Sequence, residues 1–308
     1  MVLKNEKRSK NEVLIIILSH NRLDSVIETL LSVINAAEGL ADIVVSDNSS
    51  DEEVAIQITK RFSDIPIVIQ TEAKGPISHL NAAIDFALSQ SYKYLTIFHD
   101  DDLMIENFVS NSLKDLKSNN QLVATACNAY IEMDGAIKRT CYKRAKVFLC
   151  SSHVEFLKRY LSLSGNGLAP FPGYMYRVSA LVKSRFDISQ GGRHADVSFL
   201  NELLKKGDIN WRSDISMIYR VHSGSSGGSE LIIDRNSQIK YAKNFFLPNK
   251  TNFNLLKEFK CYYVIRKKRL NGKSILDLLL NKQYRKIIIY YILNVIGARF
   301  FKIKLWVS

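Results

Sequence analysis

The stretch that most constrains this chain is Tyr94–Asp102, YLTIFHDDD. In it an apolar run (Leu95, Thr96, Ile97, Phe98) stops at three consecutive carboxylates, Asp100, Asp101 and Asp102. An apolar run bounded by polar residues is the pattern of a strand buried on both faces, as in a parallel sheet covered by helices. Ligands of open α/β sheets bind at the carboxyl ends of the strands. Three adjacent carboxylates repel one another, and a counter-charge is needed to hold them together. A hard divalent cation with oxygen ligands, shared with substrate phosphates, meets that need. A solvated acidic loop is the other reading of a bare DDD.

The residues before this stretch repeat one alternation. Val13–Leu18 (VLIIIL) reads as a buried first strand ending at Ser19-His20-Asn21. Leu23–Ala37 reads as a helix, with Val26, Leu30, Val33, Ile34 and Ala37 at helical spacing. Ile43–Val45 is a second strand that breaks at Ser46–Asp51, Glu52–Phe62 a helix, Ile65–Gln70 a third strand and Ile77–Ser89 a helix after the Gly75-Pro76 turn. Strands alternating with helices imply a parallel sheet. Polar residues then gather at successive strand ends, Ser19–Asn21, Asp47–Ser49 and Asp100–Asp102, on one sheet edge. No G-x-G-x-x-G follows the first strand and no G-x-x-x-x-G-K-[ST] occurs, so the usual dinucleotide and P-loop sites lose support.

Further on, Asn107–Lys117 reads as a helix, Leu122–Tyr130 as a strand, and Glu132–Lys146 as a hairpin or loop turning at Asp134-Gly135. Ser151–Leu161 is helical in pattern, and Gly165–Gly173 is a Gly/Pro-rich loop. Asp196–Lys206 starts a helix with Val197, Leu200, Leu203 and Leu204 on one face. Ile209–Trp211 and Ser216–Val221 read as two short strands ending at His222.

Six stretches in order, IIILSHNRLDSVIETLLSV (15–33), DIVVSDNSSDE (42–52), GPISHLNAAIDFA (75–87), FHDDDLM (98–104), HADVSFLNELLKKGD (194–208) and YRVHSGSS (219–226), resemble the inverting family-2 glycosyltransferases. The resemblance covers about residues 13–226. It implies the GT-A fold, a Rossmann-like mixed, mainly parallel sheet flanked by helices, and a nucleotide-diphospho-sugar donor. On this likeness residues 13–130 form the nucleotide-sugar half and 131–228 the acceptor half of a catalytic domain spanning 13–228. Residues 1–12 read as a disordered or flexible N-terminus. Asp47 matches the family's carboxylate on the nucleotide base or ribose, with Ser19 and Asn21 lining the same pocket. His79 and Asn81 stand where the family places groups near the ribose and diphosphate. Asp100–Asp102 match the DXD element that holds Mg²⁺ or Mn²⁺, with Asp101 and Asp102 the favoured pair and His222 a further candidate ligand. His99 stands where another acid is common, which leaves the register within the triplet open.

Asp196 matches the family's catalytic base, although Ala195 replaces the acid that usually precedes it. The implied reaction is in-line displacement at the anomeric carbon, with Asp196 taking the proton of an acceptor hydroxyl and the metal offsetting charge on the leaving diphosphate. Each assignment has a plainer counterpart: Asp196 as a helix cap, His222 as a loop histidine, Asp47 as a turn residue. The aromatic residues Phe171, Tyr174 and Tyr176 suit either stacking on sugars or core filling. A nucleotide-sugar-forming nucleotidyltransferase is the enzyme alternative, but SHNRLDS has no glycine where that class carries a Gly-rich loop.

Charge sets a second surface apart. The chain carries a net +13, yet residues 235–308 hold 17 Lys/Arg against two acids, Glu258 and Asp277. Residues 229–308 therefore read as a basic, amphipathic helical tail, for instance Asn254–Arg269 and Tyr284–Trp306. The apolar run Ile287–Ala298 is too short to span a bilayer. With Tyr290, Tyr291 and Trp306 as anchors it suits an interfacial helix on an anionic membrane, where a glycan or lipid-linked glycan acceptor would lie. Packing of the tail on the catalytic domain is the rival, and a basic RNA-binding protein is the reading from another class; it leaves the polar strand ends unexplained, so no nucleic-acid partner is expected. Four scattered cysteines and a polar N-terminus fit a cytoplasmic protein, peripheral on the inner membrane face.

Overall fold

The computed structural model describes residues 11–70, 72, 75–142, 148–161, 168–222, 232–246 and 274–281, with positions 256, 285, 288 and 289. Its frame is one mixed ten-stranded sheet. The first strand, β1 (Val13–Ser19), is buried along its whole length. Val13, Ile15 and Ile17 face one hydrophobic layer, and Leu14, Ile16 and Leu18 the other. A strand whose alternate residues are all apolar can lie only in the middle of a covered sheet.

β2 (Ala41–Asp47) and β4 (Tyr94–His99) flank β1 in parallel, and β3 (Ile67–Ile69) adds to β2. The register sets Ser19 beside Asp47 and Leu18 beside His99, so the strand ends read from sequence do share one edge. Helix α1 (Leu23–Ala37) has the bounds its apolar stripe predicts, burying Val26, Leu30 and Val33. Such burial contributes about 1.5–3 kcal/mol per side chain. The helix stops where Glu38 and Gly39 take left-handed φ values of 48° and 76°. α2 (Glu53–Arg61) and α3 (Pro76–Ser89) follow, the latter begun by Pro76 at its first turn. α3 packs Leu80, Ala83, Ile84 and Ala87 on the layer opposite α1.

β5 (Leu103–Met104), α4 (Phe108–Ser118) and β6 (Leu122–Met133) come next. Asp134 and Gly135, at φ 54° and 72°, turn β6 into β7 (Ala136–Thr140), as the sequence predicts. β8 (Phe148–Cys150), α5 (His153–Leu161), β9 (Tyr174–Arg177) and α6 (Ala195–Leu203) complete the middle of the chain. β9 lies antiparallel between β4 and β6, which makes the sheet mixed.

The two short strands expected at Ile209–Trp211 and Ser216–Val221 are one strand, β10 (Asp208–Val221), with register shifts around Ile215 against β6. The polar break at Arg212-Ser213-Asp214 does not leave the sheet, because buried Arg212 is bonded in place. Its guanidinium donates to Asp214 at 2.8 Å and to Ser112 at 2.9 Å. Bulges absorb the extra residues without ending the strand.

α7 (Ile232–Phe246), in the stretch the sequence assigns to the basic tail, buries Tyr241, Ala242 and Phe246 in the layer shared with α5 and α6. A short α8 (Ile275–Leu280) carries a capping box from Ser274 and Asp277. The predicted helices Asn254–Arg269 and Tyr284–Trp306 lie outside the described residues, isolated positions aside.

Candidate functional site

The three carboxylates occupy a turn held at both ends. β4 fixes its start, and β5 is locked antiparallel to Met217 and Ile218 of β10. From α1, Thr29 Oγ1 donates to the Asp102 carbonyl at 2.8 Å and Ser32 Oγ accepts from the Met104 amide at 3.1 Å. The acids thus cannot splay apart to relieve their repulsion. Each has its own partner instead. The Asp100 carboxylate accepts from the His20 amide at 3.1 Å and from Arg22 Nη1 at 3.1 Å. Asp101 Oδ2 accepts from the same Arg22 nitrogen at 2.7 Å and lies 2.9 Å from His222 Nε2. Asp102 Oδ1 accepts from the Arg220 amide at 2.9 Å.

These surroundings separate the three titrations. Burial pushes the Asp100 carboxyl up to about 6, with Arg22 opposing. Burial also acts upward on Asp101, but the His222 hydrogen bond and the charges of His99 and Arg22 outweigh it and hold the group below its ordinary value. Asp102 is raised well above the usual range, by burial first and by the Asp101 charge next. Its Oδ2 is buried, lies 3.9 Å from His99 Nδ1 and accepts no hydrogen bond among the described residues. An orphaned buried carboxylate oxygen costs free energy unless something positive meets it.

Ligand atoms of His99, Asp101 and Asp102 all lie within 4.8 Å of one another. Two carboxylates and an imidazole, one oxygen being orphaned, fit a divalent cation. The geometry adds His99, which sequence reasoning treated as a departure from pattern, to the expected Asp101 and Asp102. Expected ligand His222 reaches the cluster through Asp101.

The neighbouring strand ends build a second, polar lobe. Buried Asp47 accepts from the Ser49 amide at 3.2 Å and hydroxyl at 2.6 Å; burial raises its carboxyl, and these bonds oppose the shift. Asn21, at φ 55°, accepts from the Ser50 amide at 2.9 Å and donates its own amide to Ser49 Oγ at 2.8 Å, tying the β1 and β2 loops together. Ser19 Oγ, at the end of β1, is buried and has no hydrogen-bond partner among the described residues. His79 lies below, 2.9 Å from Ser46 Oγ. Asn81 does not face this lobe with a free amide. It bonds the Phe186 backbone twice, at 3.0 and 2.9 Å, and clasps that loop to α3.

Asp196 is half-buried in the first turn of α6. The Tyr219 hydroxyl is raised by burial and then by the charges of Asp102, Asp196 and Asp101, so all three acids are near enough to act on one phenol. Tyr174 and Tyr176 are fully buried and stack on each other at 5.9 Å, which makes them core rather than a platform for sugars. Phe171 is buried beside His99, ring centroids 5.8 Å apart.

The family model of Glycosyl transferase family 2 matches residues 14–182, more than half of the chain. The chain belongs to that family. As a family 2 glycosyltransferase it shares its fold with S. aureus TarS. Against TarS 1-349 in complex with UDP-GlcNAc the TM-score is 0.55 at 13% identity, covering 91% of this chain and 89% of that one. The complex with UDP gives 0.53 at 15% identity, covering 91% and 88%. Against a longer TarS chain the TM-score is 0.56 at 13% identity, and this chain spans 43% of its length. None of the curated proteins compared matches.

Sequence reasoning missed Arg22 and the His20 amide. Both partners of Arg22 lie far along the chain, and only charge complementarity between a lone arginine in the β1 loop and three acids at the β4 end signals the pair. His79 yields a pH prediction. Burial lowers its pKa from 6.5 to about 4, so between those values the unfolded chain binds more protons than the folded one. The His79 contribution to stability therefore falls as pH drops through this window, by about 3 kcal/mol in full. Asp100 and Asp102, raised by burial, act in the opposite direction over the same window, so the His79 contribution is read as a difference. The urea stability of the parent minus that of His79→Gln should fall by about 3 kcal/mol from pH 7 to 4; a difference that does not change with pH would refute the assignment.

Proposed function

We propose that this family 2 glycosyltransferase is a metal-dependent, inverting enzyme that moves a sugar from a nucleotide diphospho-sugar to a hydroxyl of a glycan or lipid-linked glycan. The observation that carries the reading is the meeting of three strand ends. A polar lobe around Asp47, Asn21 and Ser19 suits a nucleoside, and it adjoins a His99–Asp101–Asp102 cluster suited to a cation. The orphaned Asp102 Oδ2 supports the cation reading. The TarS complexes with UDP-GlcNAc and UDP support a donor of the same kind.

In this reading Asp47 and Asn21 orient the nucleoside, with Ser19 Oγ a free hydroxyl at the join. His99, Asp101 and Asp102, with His222 alongside, hold Mg²⁺ or Mn²⁺, which supplies Lewis-acid stabilisation of the leaving diphosphate when bound. Asp196 accepts the proton of the acceptor hydroxyl as that oxygen bonds to the anomeric carbon and the bond to the diphosphate breaks. Attack from the face opposite the leaving group inverts the anomeric centre. His79, neutral at pH 7, adds no charge beneath the nucleoside lobe. A screen of nucleotide sugars with Mn²⁺ should find one that releases nucleoside diphosphate in the presence of acceptor. Asp196→Asn should lower that turnover by about 10²–10⁴-fold with donor affinity kept. Full activity in this variant would overturn the base assignment.

The acceptor side is proposed to meet an anionic membrane through the basic C-terminal region, at the cytoplasmic face. Among the described residues no helix is long and apolar enough to cross a membrane. Sedimentation with vesicles containing phosphatidylserine should be strong at low salt and weaken as salt rises. Equal recovery in the supernatant with and without vesicles would contradict attachment.

A further inference from the structure

Arg22 is the residue the reading above leaves without a task. It immediately precedes α1, at the N-cap position, and its Nη1 donates to both Asp100 and Asp101. Among the described residues only that nitrogen of the guanidinium is engaged. The side chain is 36% exposed, so it is not locked into the interior. The oxygen it holds, Asp101 Oδ2, belongs to one of the three cation-ligand candidates and is also the one that meets His222. Arg22 and a divalent cation therefore compete for one carboxylate, and two positive groups so close repel each other.

We infer that Arg22 is an internal stand-in for the metal, bridging Asp100 and Asp101 before a cation binds and turning its guanidinium to the donor diphosphate when a cation takes Asp101. This rests on the metal–diphosphate reading of the site. The guanidinium suits both duties, because its planar fork pairs carboxylate and phosphate oxygens alike. Its place at a helix N-terminus sets it among amides that also favour a phosphate. Asp102 Oδ2 is buried with no hydrogen-bond partner among the described residues and lies 3.9 Å from His99 Nδ1, so the bridge leaves the cluster incomplete: Arg22 meets Asp100 and Asp101 but not the third acid.

The consequence is reciprocal coupling. A cation arriving alone must evict Arg22 with no anion to receive it, and a diphosphate arriving alone must draw Arg22 away from two carboxylates left uncompensated. Arriving together, each removes the obstacle to the other. By linkage the metal tightens the nucleotide by the same factor as the nucleotide tightens the metal. The site would then assemble only around the complete metal–diphosphate pair.

The test reads Mn²⁺ binding by electron paramagnetic resonance on the full chain, with and without UDP, correcting for Mn²⁺ complexed by UDP in buffer. The parent should bind Mn²⁺ weakly alone and about tenfold or more tightly with UDP. Arg22→Gln and Arg22→Met should bind Mn²⁺ alone about tenfold more tightly than the parent and gain little from UDP. Arg22→Lys, which keeps the charge, should retain weak binding of the metal alone. Two neutral variants are used so that one with an altered thermal transition does not decide the matter. Neutral variants that bind Mn²⁺ no more tightly than the parent, or that keep the full UDP effect, would overturn the inference. Absence of Mn²⁺ binding in every protein, with or without UDP, would instead remove the metal reading beneath it.

Discussion

Like charges in a row have to be held by something other than themselves. Asp100, Asp101 and Asp102 sit in a turn whose entry is a sheet strand and whose exit is paired to β10. Thr29 and Ser32 of α1 pin its backbone from the side. Repulsion is then met group by group, by Arg22, by the amides of His20 and Arg220 and by His222. Elements far apart in sequence are thereby committed to one place, since the β1 loop, α1 and the end of β10 each supply a partner for the turn.

The same arrangement explains why the site lies at this edge of the sheet. Burial on both faces makes β1 an interior strand, and its parallel neighbours bring their ends level with its own. The polar ends can neither enter the two apolar layers nor pair as strands, so they bond across the loops, Asn21 to Ser49 and Ser50, His20 to Asp100. What remains unsatisfied in that network, Ser19 Oγ and Asp102 Oδ2, marks where a bound molecule would complete it.

Much of this was legible in the sequence where one signal dominates. β1, α1 and β4 were read correctly because an unbroken apolar run, a helical stripe and an abrupt acidic stop each have one natural structure. The gathering of the strand-end loops followed from parallel order. The reading failed where polarity and exposure part company: Arg212-Ser213-Asp214 looks like a turn, yet Arg212 is buried and bonded within β10. For Tyr174 and Tyr176 the sequence leaves sugar stacking and core filling both open, and burial decides for the core. Asn81, which the resemblance places near the ribose and diphosphate, holds the Phe186 backbone with its side-chain amide. Arg22 was overlooked since an ion pair across so many residues leaves no local pattern.

The central claim is that the His99–Asp101–Asp102 cluster and the Asp47 lobe form one donor site. A crystal structure with Mn²⁺ and a turned-over nucleotide sugar tests it most directly, using anomalous scattering to locate the metal. The account predicts a manganese peak bonded to Asp102 and Asp101, the diphosphate beside it and the nucleoside over Asp47. A nucleotide bound away from Asp47, or manganese absent from the cluster while the donor is bound, would contradict it.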